Sequence, residues 1–97
     1  MQFLVKAYDG ENMLEKRLEV RSRHLENMSN ITGKVLCAGG LLDEDGKMKG
    51  SALVMDFESR ELLEGYLNSE PYITNHVWEK VEVEQVNYPP PIEAVGN

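Results

Sequence analysis

The stretch from Glu11 to Ile31 contains neither Gly nor Pro and sits between two glycine breaks, Gly10 and Gly33. An uninterrupted run of that length predicts one long helix, on the order of 30 Å at about 1.5 Å per residue. Asp9 stands where it can cap the start, and Gly33 where a helix stops. Around this helix the periodicity changes. Phe3, Val5 and Ala7 alternate within Gln2 to Tyr8, which predicts a strand. Lys34 to Leu42 is an almost wholly apolar second strand, Asp43-Glu44-Asp45-Gly46 a turn, and Met48 to Phe57 a third strand closing a hairpin. Ser59 is a good N-cap for a short helix from Arg60 to about Asn68, which Glu70-Pro71-Tyr72 ends. Val77 to about Tyr88 reads as a fourth strand. Pro89-Pro90-Pro91 cannot continue a ladder.

The order is β-α-β-β-α-β. It predicts an α+β fold, the ferredoxin-like βαββαβ domain with two helices on one face of a four-stranded antiparallel sheet. Ninety-seven residues hold one core. We therefore expect a single domain over 1–88 and a Pro-rich tail over 89–97. The third strand is apolar at both parities, with Leu53, Met55 and Phe57 on one side and Ala52 and Val54 on the other. A half-exposed sheet alternates. The chain has no residues left for a third layer, so the expected cover is a second copy, a homodimer joined sheet to sheet.

The long helix divides cleanly. One arc, holding Glu11, Glu15, Lys16, Glu19 and Glu26 among others, contains no hydrophobic residue. The other holds Met13, Leu14, Leu18, Val20, Leu25, Met28 and Ile31, but also Arg17, Arg21 and His24. Spacings of four and three make these three neighbours. A buried cation without a partner costs several kcal/mol. Either the three snorkel to the rim and pair with local glutamates, or they line a polar pocket between helix and sheet. In such a pocket two arginines attract a carboxylate or similar anion, and an imidazole is the natural proton carrier.

Net charge narrows the partners. Ten Lys and Arg against seventeen Asp and Glu leave −7. Duplex nucleic acid and anionic membranes reward a basic face, so neither is expected, whereas a small anion responds to local charge. One cysteine, Cys37, precludes an intrachain disulfide and reads as a small core residue. The start lacks a basic segment followed by an apolar one, and no run reaches the roughly 20 residues of a membrane span. A cytoplasmic location is expected. His24 and His76 lack companions at metal-ligand spacing, so no metal is expected.

Leu14-Glu15-Lys16-Arg17-Leu18, Val20-Arg21 and His24-Leu25 together resemble the helix signature of the YciI-like (YCII-related) family. Cys37-Ala38-Gly39-Gly40, Gly50-Ser51, Phe57-Glu58-Ser59 and Glu70-Pro71-Tyr72 follow in the family's order. The resemblance runs from Phe3 to about Val86. It implies a dimeric α+β barrel similar in architecture to muconolactone isomerase, some relatives acting on chlorinated muconolactones. It also implies a His–acid dyad, which falls on His24 and Glu70, where Asp is usual. Gly40 stands where Pro is usual.

These readings define the expected site. His24 and Glu70 are the catalytic candidates; a structural bond between helix and loop is the alternative. Arg17 and Arg21 are anion-binding candidates. Gly39-Gly40 either donates backbone N–H groups to an anion or forms a β-bulge. Ser51 is a ligand contact, without the surroundings of a nucleophile. Tyr72 walls the pocket or packs beside Pro71. Asp56 is either a strand-end cap or a second carboxylate. The function expected is a small cofactor-independent enzyme performing acid–base chemistry on an organic acid or lactone. The alternative is a non-catalytic dimer that binds a small metabolite or docks on a partner.

Overall fold

The computed structural model describes residues 1–87. Its elements are β1 (Gln2–Asp9), α1 (Leu14–Ser29), β2 (Lys34–Leu42), β3 (Met48–Asp56), α2 (Arg60–Ser69), α3 (Pro71–Thr74) and β4 (Trp78–Val86). The strands form one antiparallel sheet in the order β2-β3-β1-β4. This is the expected ferredoxin-like arrangement, with one addition, α3. The expected tail over 89–97 lies outside the described residues.

Period-2 alternation does the sorting. Phe3, Val5 and Ala7 of β1 are fully buried under the helices, beside Leu53 and Met55 of β3. Val81 and Val83 of β4 pair with Ala7 and Val5 and pack on the same core. Val20 of α1, with Leu63 and Tyr66 of α2, covers this face. At about 25 cal/mol per Å² of apolar surface, these side chains supply the main driving force of the fold.

The opposite face is divided. Register places Cys37, Val54 and Leu4 in one row, and Gly39, Ala52 and Lys6 in the next. Those rows end at β4 on Glu84 and Glu82. The face is apolar on the β2 side and charged on the β4 side. Cys37 is exposed on it, so the expectation of a core cysteine is corrected. β2 is an edge strand with its far face uncovered, and small apolar character alone does not bury a residue there.

Three local expectations also change. First, α1 begins at Leu14 rather than Glu11, because Asn12 takes a left-handed backbone (φ 57°) to turn the chain off the sheet. Asp9 stays in β1 and does not cap the helix. Second, Gly33 does not end α1, which closes at Asn30. Gly33 instead lets two backbones meet, since a Cβ there would lie 2.2 Å from the Asp56 carbonyl oxygen. Third, Pro71 opens a helix as well as closing one. Proline suits a first helical turn, whose N–H groups lack partners, and the Glu70 side chain accepts from the Tyr72 N–H as the cap of α3.

Candidate functional site

α1 turns its unusual residues inward. Met13, Arg17, Val20, His24, Met28 and Ile31 fall on one stripe at about 100° per residue. Arg17, Val20 and His24 are the buried residues of this helix, whereas Leu14, Leu18 and Leu25 stand on the exposed flank. The broad apolar arc expected to face the core is therefore narrower than its composition implies. The reason is energetic: both inward polar side chains have dedicated partners, which offset much of the penalty of burying them.

Arg17 is 5% exposed. Its Nη1 donates to both Asp9 carboxylate oxygens, at 2.9 and 3.2 Å, and its Nη2 donates to Ser51 Oγ at 2.7 Å. The guanidinium carbon lies 4.8 Å from the Tyr72 ring centroid. Arg17 Nε is buried without a hydrogen-bond partner. Burial raises the Asp9 carboxyl above its ordinary range, and the Arg17 charge opposes that rise. Most of the Arg17 charge is thus spent within the protein. Arg21, one turn on, has no carboxylate partner among the described residues and is exposed at the cavity edge.

His24 meets Glu70 through Nδ1···Oε1 at 2.7 Å. Glu70 is fully buried and held by three groups. Tyr66 donates its hydroxyl to Oε1 at 2.5 Å, and the Tyr72 N–H donates to Oε2 at 2.9 Å. The extra methylene relative to the family's usual Asp leaves contact with His24 intact. The Tyr72 ring stacks on His24, with centroids 4.2 Å apart at 22°, and Trp78 meets the imidazole edge-on at 6.1 Å. This stacking fixes the ring plane, while the carboxylate favours the tautomer carrying its proton on Nδ1. Burial, opposed by Arg17 and Arg21, raises the Tyr72 phenol. Burial and the neighbouring Glu70 charge push the Tyr66 phenol well above the ordinary range.

A cavity of about 190 Å³ opens beside this pair. Arg17, Arg21, His24, Gly39, Gly40, Ser51 and Tyr72 all line it, with Leu25, Met28 and Leu53 as its apolar part. Glu70 stands behind His24. The catalytic and ligand-binding candidates therefore lie together, Asp56 excepted. Gly39 pairs with Ala52, so a Cβ there would turn to the open sheet face, where it meets nothing within 4 Å, and toward the cavity this residue presents only backbone. Asp56 is elsewhere: it pairs with the Met1 ammonium at 3.2 Å on the surface, and the reading as a second site carboxylate is dropped. Among the described residues no group of three or more His, Cys, Asp or Glu side chains could hold a metal, and no helix is long and apolar enough to cross a membrane. A second cleft, about 260 Å³, lies between the end of α1 and α2, along Asn27, Ile31, Phe57 and Tyr66. It carries none of the expected residues.

Two participants escape the sequence reading. Tyr66 lies four residues before Glu70, a helical spacing that could have linked them. Asp9 lies eight before Arg17, on a different element, and no periodicity connects the two.

Comparison with known proteins sets this geometry in a family. Protein YciI of Escherichia coli is 32% identical over 91 residues, spanning 86% of this chain and 93% of that protein. Aspercryptin biosynthesis cluster protein B of Emericella nidulans is 31% identical over 80% of this chain and 56% of its own length. Among solved structures, 5-chloro-2-hydroxyhydroquinone dehydrochlorinase from Burkholderia phenoliruptrix, in complex with 2,5-dihydroxybenzoquinone, matches with a TM-score of 0.82. It covers 92% of this chain and 96% of that one at 23% identity, a likeness of fold. The YCII-related domain model matches residues 1–87, and the chain belongs to the YCII-related family.

Proposed function

We propose that the protein is a small acid–base catalyst acting on a small organic acid or lactone. One observation carries the reading. His24 is tied to a buried carboxylate through Nδ1, while its Nε2 has no partner among the described residues and the ring lines a cavity beside the unpaired Arg21. In that arrangement Nε2 takes a proton from the substrate, and Glu70 stabilises the imidazolium that forms. Returning the proton at another atom isomerises the substrate, and loss of a leaving group eliminates from it. Arg21 holds the anionic group. Arg17, already engaged by Asp9, positions Ser51, whose hydroxyl keeps its own hydrogen to donate. The Gly39-Gly40 backbone and the Tyr72 ring wall the space.

Cavity size supports a single-ring substrate, since a cavity of about 150 Å³ accepts benzene. The dehydrochlorinase of the same fold binds 2,5-dihydroxybenzoquinone, a single oxygen-bearing ring. The working unit in this reading is a dimer, with a second copy covering the apolar rows of Cys37, Val54, Leu4 and Ala52.

The test is a thermal-shift screen of small organic acids and lactones on wild type, His24→Ala and Glu70→Gln. Each acid that binds is then followed by NMR in heavy water for exchange of carbon-bound protons. The reading requires stabilisation and exchange in wild type and loss of exchange in both variants. Exchange and affinity unchanged in both variants would sink it. Binding without exchange in wild type supports the accessory-module alternative instead.

A further inference from the structure

Tyr66 has no part in the chemistry above, yet its position is specific. It is 5% exposed, and its ring stacks on Phe57 at 6.2 Å. A phenylalanine would fill the same apolar space without burying a hydroxyl, which is costly unless partnered. The partner is Glu70 Oε1, the oxygen that also meets His24 Nδ1. Two donors therefore share one carboxylate oxygen.

We propose that Tyr66 is a positioning residue that sets the proton affinity of the His24–Glu70 pair. The proposal rests on the acid–base reading of that pair, although its test needs no turnover. With a neutral imidazole the pair carries one negative charge, and with imidazolium it carries none. A hydroxyl donating to Oε1 stabilises the negative state more than the neutral one. Tyr66 thus opposes uptake of a proton by the pair, which favours the free Nε2 lone pair that the base role needs. It also loads Oε1, which disfavours transfer of the Nδ1 proton to Glu70. The phenol stays a donor across the working range, because burial and Glu70 oppose its ionisation.

Other charges face the same imidazole. Arg17 and Arg21 lie on its own helix, Asp9 on β1 reaches it only through Arg17, and Tyr72 comes from α3. From the sheet, Ser51 of β3, Trp78 of β4 and the Ala38–Gly40 segment of β2 are uncharged. Tyr66 acts through Glu70 and not on the ring directly, at the oxygen that meets His24, whereas the Tyr72 N–H donates to the other oxygen.

The experiment is a pH titration of the two histidines by imidazole nitrogen NMR, in protein without ligand. The exposed His76 serves as the internal control. In Tyr66→Phe the His24 midpoint moves up by about one pH unit, a roughly tenfold change in proton affinity, and the His76 midpoint stays. A ring-fluorinated tyrosine at position 66, a stronger donor of nearly the same shape, moves the His24 midpoint down and keeps the test available if Tyr66→Phe unfolds. In a Glu70→Gln background, Tyr66→Phe moves the midpoint much less. An unmoved or lowered midpoint in Tyr66→Phe overturns the proposal. An equal shift without the Glu70 charge does so too. Because no substrate is present, failure here is separate from failure of the catalytic reading, which the exchange assay decides.

Discussion

Glu70→Gln is the most informative single change for the structure itself. The carboxylate is fully buried and accepts from Tyr66 Oη, His24 Nδ1 and the Tyr72 N–H. Glutamine keeps the shape but offers one acceptor oxygen and an NH₂ group. If that oxygen takes the Oε1 place, the NH₂ faces the Tyr72 N–H, donor against donor. A buried N–H without an acceptor costs about 1–3 kcal/mol, and two bonds that lose their charge assistance cost about 1 kcal/mol each. Removing a buried charge returns part of this. The expected net loss is about 2–3 kcal/mol, a large share of the roughly 5–15 kcal/mol that holds a domain together. It corresponds to a Tm lowered by about 10–20 °C for a chain of this size. Urea unfolding, with the slope held common to both proteins, measures it. A loss under about 0.5 kcal/mol, or a gain, would show that the three bonds do not hold Glu70 as described.

Other expectations follow from the same structure. Tyr66 and Tyr72 both have phenols raised in the folded state. Their contribution to stability is therefore complete below about pH 10, where unfolded phenols are still protonated, and is lost as pH climbs beyond it. The urea midpoint should fall above that pH, with tyrosinate absorbance from these two rings in the folded protein appearing only above the ordinary phenol range; their ionisation in the folded protein at ordinary values would contradict this. Gly50→Ala brings a Cβ to 2.2 Å from the Ala7 carbonyl oxygen, so the sheet must shift and the Tm falls by several degrees. Gly39→Ala turns its methyl to the open sheet face, in the row of Ala52, where it meets nothing within 4 Å, so its Tm stays within about 2 °C and affinity for any acid found in the screen is kept. Val54→Lys puts a charge in the middle of the apolar rows, and light scattering should show the mass per particle halved relative to wild type. A wild type that is already monomeric at micromolar concentration would remove the dimer from the proposed function.

Much of this protein is written locally. The strand–helix order follows from where the apolar period is two and where a run without Gly or Pro lasts long enough for a helix. Ser59 capping α2 is likewise a local matter, its hydroxyl accepting from Leu62 N–H. The inward placement of Arg17 and His24 shows as charge set into an apolar arc, because burying charge is costly enough to need a reason. Glu70 was legible only through the ordered family motifs, since forty-six residues separate it from His24.

The sequence by itself thus determined the order of the four strands and the two longer helices, and the helix face that carries the cations. Tertiary structure alone decided their partners. Asp9, not at the helix start, pairs with Arg17, while Arg21 lines the cavity without a carboxylate partner among the described residues. Gly33 marks a backbone crossing and not a helix end. Cys37 lies on an open sheet face although its neighbours are apolar. Tyr66 joins His24 on a single oxygen of Glu70. The reason is physical: propensity and periodicity act over a few residues, whereas desolvation and charge pairing depend on which elements the sheet brings within about 3 Å of each other.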